Sequence, residues 1–112
     1  MVPYPEDTLS HRELSLLRLR ARDGNGQRVS QAMFAGWLGI TSNSYARLER
    51  GELRLRVSMA RLAVYTLAEH TGQSVNAIRD SLAAEREALR KAGAARDQKR
   101  SRAATSGRRD ER

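Results

Sequence analysis

Two residues with base-recognition chemistry lie close together in the segment that spans residues 30–51. Asn43 and Arg47 are four positions apart there, a spacing that places two side chains on one face of a helix. An asparagine side chain can pair with the edge of adenine through two hydrogen bonds, and an arginine side chain can pair in the same way with guanine. These residue types at this spacing have the chemistry to read base pairs in the major groove of duplex DNA.

Two short helices joined by a glycine turn are predicted to position this face. Ser30 can cap the first helix, and Gly39 can end it. Thr41 can cap the second helix, which Gly51 ends. The small side chain of Ala35 lets the two helices approach each other closely. The segment therefore predicts a helical hairpin.

The apolar residues of the second helix indicate its orientation. At roughly 100° per residue, Tyr45 and Leu48 fall on one side of the helix, where we expect them to pack on the first helix. Ser42, near the start of the helix, can reach a phosphate or a base. The opposite side carries the residues that we expect to face outward, namely Asn43, Arg47 and Arg50, with Ser44 and Ala46 on the flanks.

Three further helices are predicted around this hairpin, which makes the fold class all-α with five helices. Ser10 and Glu13 have the spacing of a capping box at the start of the first of them. Ser58 can cap the next helix, which Gly72 ends, and the last helix begins after Ser74. The predicted helical domain covers residues 10–92.

The hairpin segment resembles the helix-turn-helix of the phage-repressor and Cro-like family of DNA-binding proteins. The resemblance covers roughly residues 14–80 of the chain. The matching elements are Gln31, Ala35, the turn Leu38-Gly39-Ile40, and the run Tyr45-Ala46-Arg47-Leu48-Glu49-Arg50-Gly51. The resemblance implies a repressor-like fold, with its helix-turn-helix at about residues 30–51.

The resemblance also implies roles for individual residues. It places Ser42, Asn43, Ser44 and Arg47 against DNA, Gln31 against a phosphate, and the residues after Gly51 against the DNA backbone. It further implies a buried ion pair between Glu49 and an arginine of the first helix, for which we expect Arg20. The expected base-reading residues are Ser42, Asn43, Ser44, Ala46 and Arg47. The expected phosphate-contacting residues are Arg28, Gln31, Arg50, Arg54 and Arg56.

The composition favours a polyanionic partner. The chain has 21 Lys and Arg against 13 Asp and Glu, a net charge of +8, and charge of this sign favours nucleic acid. Residues 1–9 contain both prolines and are predicted to form an extended arm. Residues 93–112 contain no large apolar residue, and a segment of this kind is predicted to be a disordered basic tail. The tail is either an electrostatic arm along phosphates or a solubilising end.

The last predicted helix, at about residues 75–92, has two interpretations. Its apolar residues, Val75, Ile78, Leu82 and Leu89, recur at heptad-like spacing. They can cover the core of the domain, or they can form a dimer seam, which is the interpretation that we favour. A homodimer would place two reading helices on an inverted repeat of double-stranded DNA, about one helical turn apart.

Several other functions are disfavoured by the sequence. The chain has no cysteine and two distant histidines, so we expect no metal and no cofactor. We find no nucleophile, base and orienting group at coherent spacing, so we do not expect an enzyme. No apolar stretch is long enough to span a membrane, and the first residues do not resemble a secretory signal. We therefore expect a cytoplasmic, nucleoid-associated location.

These features together predict a transcriptional regulator that binds duplex DNA sequence-specifically, and we expect a repressor of phage, plasmid or toxin–antitoxin type. The alternative is a protein-interaction module, either an antitoxin that binds a toxin through its last helix and tail or a transcription adaptor. RNA binding is less favoured, because the chain has few aromatic residues for stacking on bases. Trp37 can pack under the preceding loop or face a partner.

Overall fold

The structure is a computed structural model that describes residues 3–110, with side chains described for residues 3–96. A short 3-10 helix, Pro5–Thr8, comes first. Within this range the structure has five α-helices: α1 (His11–Arg20), α2 (Gln31–Leu38), α3 (Ser42–Glu49), α4 (Val57–Thr71) and α5 (Val75–Asp110). The prediction of an all-α fold with five helices is confirmed for the described residues.

The chain forms two compact units, residues 1–80 and residues 81–112. The first unit contains α1 to α4 and the start of α5, and the second contains the rest of α5. The core of the first unit is built from apolar residues of all its α-helices. Its most deeply buried members are Leu14, Val29, Phe34, Ala35, Tyr45, Ala60, Ala63, Val64 and Leu67.

Capping residues fix the starts of the first three α-helices. Ser10 Oγ accepts a hydrogen bond from the Glu13 amide at 3.1 Å, and Glu13 Oε1 accepts one from the Ser10 amide at 2.9 Å. Ser30 and Thr41 each accept from the backbone amide three residues later. These bonds satisfy amides that have no partner inside the helix. The three helix starts predicted from these caps are confirmed.

The turns that follow α2 and α3 both need glycine. Gly39 and Gly51 each have a φ of 77°, in the left-handed region that other residues rarely adopt. At Gly51 a side chain would also meet the ring of His11 at 3.3 Å. The two glycines therefore determine where α2 and α3 end and how the chain leaves them.

The N-terminal segment differs from the predicted extended arm. Its 3-10 helix contacts α4, and the carboxylate of Glu6 is completely buried. Arg79 donates to both oxygens of this carboxylate, with Nε at 2.9 and 3.1 Å. Asp7 makes a second ion pair, with Arg61 of α4 at 2.8 Å. The segment is ordered because its two acidic residues form ion pairs with arginines that are distant in sequence.

The predicted boundaries of the last two helices also need correction. α4 begins at Val57 with Arg56 as its N-cap, instead of beginning after Ser58, because the Arg56 carbonyl already accepts the first helical bond, from the Ala60 amide at 2.9 Å. α5 continues through residues 93–110, which were predicted to be disordered. Alanine and arginine are frequent there, and both residues favour a helix.

Candidate nucleic-acid interface

The two sides of α3 differ in their exposure to solvent. Tyr45 is completely buried and Leu48 is 6% exposed, so this side of the helix belongs to the core. Phe34 of α2 packs on Tyr45, with 5.2 Å between their ring centroids. Asn43, Arg47 and Arg50 are exposed on the other side, which we call the outer face of α3, and Ser42 is exposed near the start of the helix. The predicted orientation of α3 is therefore confirmed, and Ser44 and Ala46 are half-buried beside this face.

A buried polar group attaches the C-terminal end of α3 to α1 and α2. Arg18 donates to Glu49 through Nε at 2.6 Å and through Nη2 at 3.1 Å. Gln31 Nε2 donates to the same carboxylate at 2.8 Å. We call Arg18, Gln31 and Glu49 the inner cluster. The side chains of Arg18 and Glu49 are only 12% and 6% exposed, so water competes weakly for their bonds.

The inner cluster changes the ionisation of its members. Burial opposes ionisation of Glu49, but hydrogen bonds from Arg18 and Gln31 outweigh it and hold the pKa of this carboxyl below its ordinary value. The hydrogen bond to Glu49 raises the pKa of Arg18. Burial also raises the pKa of the neighbouring Tyr45 hydroxyl. The pair is therefore fully charged, and Tyr45 is neutral, at neutral pH.

One expectation for the inner cluster requires correction, and another stays a prediction. The arginine that pairs with Glu49 is Arg18, whereas the expected partner was Arg20. Arg18 is one helical turn after the buried Leu14 and therefore points inward, whereas Arg20 lies on the exposed side of α1. Gln31, which was expected to contact a phosphate, has its side-chain amide bound to Glu49.

A second group of charges lies on the outer face of α3. Glu52 Oε2 is 2.8 Å from Arg50 Nη2 and 3.6 Å from Arg47 Nε. The hydrogen bond from Arg50 lowers the pKa of Glu52, and the same bond raises the pKa of Arg50. We call Arg47, Arg50 and Glu52 the outer cluster. Their side chains are 45%, 56% and 49% exposed, so these groups remain accessible to a ligand.

Glu52 is the residue of this surface that the sequence analysis missed. Its amide donates to the carbonyl of Arg47 at 2.9 Å, because the chain turns back at Gly51. An acidic residue directly after a helix-ending glycine was the signal in the sequence. A side chain at that position returns to the last turn of the helix.

Three further arginines expected to contact phosphates are exposed. Arg54 and Arg56 lie in the connection between α3 and α4, and Arg28 lies in the loop before α2. No carboxylate within residues 3–96 pairs with any of the three. Arg54 and Arg56 also line an open groove of about 370 Å³ with apolar residues that include Ile40, Leu53 and Met59. The positive charge of these arginines is therefore available to an external anion.

Trp37, which was expected either to pack under the preceding loop or to face a partner, contacts α4. Its ring stacks on the ring of His70 from α4, with centroids 4.0 Å apart and planes at 1°. It also lies beside Phe34, with 6.1 Å between centroids. Trp37 is half-buried by these contacts, so it packs between α2 and α4.

Only part of the expected dimer seam of α5 is exposed. Ile78 and Leu82 are buried in the single chain, at 4% and 1% exposure. Val75 is half-buried, and Leu89 is 61% exposed. Two of the four apolar residues at heptad-like spacing are therefore already buried. Leu89 and the exposed part of Val75 remain accessible, and the homodimer stays a prediction.

Among the residues that the structure describes, no group of three or more His, Asp or Glu residues is placed to hold a metal ion. No helix in the described part of the chain is long and apolar enough to cross a membrane. No protein-family model, curated protein or solved structure matches the chain.

Proposed function

We propose that this protein binds duplex DNA sequence-specifically through a helix-turn-helix formed by α2 and α3. The observation that carries the proposal is the exposure of Asn43 and Arg47 together on α3, whose other side is fixed in the core by Tyr45. A rigid helix with these two side chains directed outward fits the major groove. Asn43 and Arg47 are the proposed main base-reading residues, with Ser42, Ser44 and Ala46 beside them.

The affinity of the proposed complex comes mainly from arginines around this helix. Arg28, Arg54 and Arg56 are exposed and have no carboxylate partner within residues 3–96, so each can neutralise a phosphate without breaking an ion pair. Arg50 can also reach a phosphate after it leaves Glu52. Such contacts release counterions and bind all sequences alike. In this proposal, phosphate contacts hold the protein on DNA and α3 discriminates between sequences.

The biological role that fits these contacts best is transcriptional repression by occupation of an operator. We propose a homodimer on an inverted repeat, as is usual for helix-turn-helix proteins of this size. Residues other than Ile78 and Leu82 would form the dimer contacts, because these two are buried in the single chain.

Selection of bound sequences from random duplex DNA tests the proposal directly. We expect enrichment of one short motif, and enrichment of an inverted repeat would also support the homodimer. A pool that stays random after several rounds, although the protein retains it, would contradict sequence-specific binding.

Replacing single arginines separates base reading from phosphate binding. We expect Arg47→Ala to weaken binding to the selected sequence by about 1–3 kcal/mol and to relax the preference at one base pair. Arg54→Ala should weaken binding to selected and random duplexes equally, because a phosphate contact carries no sequence information. Binding titrations with both duplexes measure these effects.

Arg90→Ala is the matched control for this experiment. Arg90 is 70% exposed on α5 and pairs with Glu87, so its replacement also removes one positive charge and one exposed ion pair, on a different helix. An equal loss for both duplexes in Arg47→Ala would refute the assignment of Arg47 as a base-reading residue.

A further inference from the structure

The position of Glu52 beside the arginines of α3 is determined by the backbone. Gly51 has a φ of 77°, and the Glu52 amide is bonded to the Arg47 carbonyl at 2.9 Å. This turn returns the chain to the last turn of α3, where the Glu52 carboxylate is 2.8 Å from Arg50 and 3.6 Å from Arg47. The carboxylate therefore occupies the place where an external anion would bind these two arginines.

The next arginines in the chain differ in this respect. Arg54 and Arg56 are exposed, and no carboxylate within residues 3–96 pairs with either of them. Among the arginines that we expect to contact DNA, internal neutralisation within residues 3–96 is therefore confined to Arg47 and Arg50. This is the face to which we assign the reading of bases.

We propose that Glu52 is a selectivity-determining residue of this surface, a carboxylate that competes with DNA phosphates for Arg47 and Arg50. This inference rests on the proposed DNA-binding function and deepens it. In the free protein Glu52 forms an ion pair with each of these arginines, so a phosphate that approaches them competes with this carboxylate.

The competition penalises binding to random sequences more than binding to the preferred one. On random DNA the two arginines have only phosphates to bind, and Glu52 opposes these contacts because it pairs with the arginines and repels a nearby phosphate. On the preferred sequence Arg47 pairs with a guanine edge, which offers two acceptors and carries no full negative charge. Glu52 can then stay on Arg50. Discrimination therefore increases because the unwanted complex is weakened.

The variant Glu52→Gln tests this role, with Glu87→Gln as its matched control. Glu87 has the same side-chain exposure as Glu52, 49%, and pairs with Arg90 on α5. Both variants thus gain the same net charge and lose an exposed ion pair. The readout is the ratio of affinities for the selected duplex and for a random duplex of equal length, measured at several salt concentrations.

We expect Glu52→Gln to bind random duplex about threefold to tenfold more tightly at low salt, the effect of roughly one additional phosphate contact. The salt dependence of that binding should become steeper by about 0.9 in the log–log slope. Binding to the selected duplex should change by less than about twofold, because Arg47 does not use a phosphate there. The affinity ratio therefore falls, whereas Glu87→Gln and the charge-conserving Glu52→Asp keep the original ratio.

Other outcomes would overturn the inference in distinguishable ways. If the unmodified protein prefers its selected duplex and Glu52→Gln matches Glu87→Gln on both duplexes, Glu52 has no selective role, and the proposed function stands. An equal gain on both duplexes, or the same fall in ratio for Glu52→Asp, would also refute selectivity by charge. If the unmodified protein has no sequence preference, the proposed function fails and the role of Glu52 fails with it.

Discussion

The two charge clusters of α3 contain similar groups and have opposite relations to water. Glu49 of the inner cluster binds Arg18 and Gln31, and its side chain is 6% exposed. Glu52 of the outer cluster binds Arg47 and Arg50, and its side chain is 49% exposed. A buried pair is costly to break, because an unpaired charge is left away from water. An exposed pair exchanges readily with water and other ions.

This difference assigns separate tasks to the two clusters. The inner cluster connects three helices, because Arg18 comes from α1, Gln31 from α2 and Glu49 from α3. It therefore fixes the rotation of α3 about its own axis and so determines which side chains form the outer face. The outer cluster fixes nothing in the core, and its arginines can change partners. The N-terminal segment has the same contrast between the buried Glu6 and the more accessible Asp7.

The largest effect that follows from this comparison is on folding stability. Glu49→Gln keeps the size of the side chain but leaves Arg18 charged and nearly buried, so we expect the free energy of unfolding to fall by about 3 kcal/mol. Urea unfolding followed by circular dichroism measures this change. The exposed pair supplies the control, since Glu87→Gln should leave the unfolding curve in place. If Glu49→Gln and Glu87→Gln had the same unfolding midpoint, the structural role of the inner cluster would be contradicted.

A smaller effect is the dependence of this stabilisation on pH. The pKa of Glu49 in the folded protein lies below the 4.5 that is ordinary for a glutamate. The ionised form therefore stabilises the fold, fully so above the unfolded pKa, and this contribution is lost as the pH falls through the folded pKa. We expect the stability difference between the unmodified protein and Glu49→Gln to be constant from pH 7 to about 6 and to narrow below about pH 4.5.

The stability difference between the unmodified protein and Glu49→Gln reports on Glu49 alone, whereas the stability of a single protein also depends on its other carboxyl groups. Asp7, Glu52 and Glu87 also have lowered pKa values, and their contributions cancel between the two proteins. A difference that stays unchanged down to pH 3 would mean that Glu49 does not stabilise the fold through its charge.

The inner and outer sides of α3 could be predicted from sequence because local rules determine them. Thr41 and Gly51 mark the ends of the helix, and the spacing of Tyr45 and Leu48 selects its buried side. The partner of Glu49 is harder to predict, because it depends on the rotation of α1 in the core. The buried Leu14 was the clue, since Arg18 follows it by four residues and Arg20 by six.

Features that depend on distant residues were not predictable from one sequence. Glu6 binds Arg79 across 73 positions, and nothing near either residue indicates that pairing. The burial of Ile78 and Leu82 was ambiguous for a related reason, because an apolar stripe has the same spacing whether its own chain or a second chain covers it.

The smallest expected effect is also on stability, and it concerns the outer cluster. Glu52→Gln should leave the melting temperature unchanged within error, because Arg47 and Arg50 remain hydrated when their partner loses its charge. Thermal unfolding at low and at high salt measures this, and neither condition should separate the variant from the unmodified protein. A clear destabilisation would show that Glu52 is needed for the end of α3. A displaced helix would then also explain a changed DNA selectivity in this variant. The charge of Glu52 would remain the explanation only if Glu52→Asp restored both the melting temperature and the DNA selectivity.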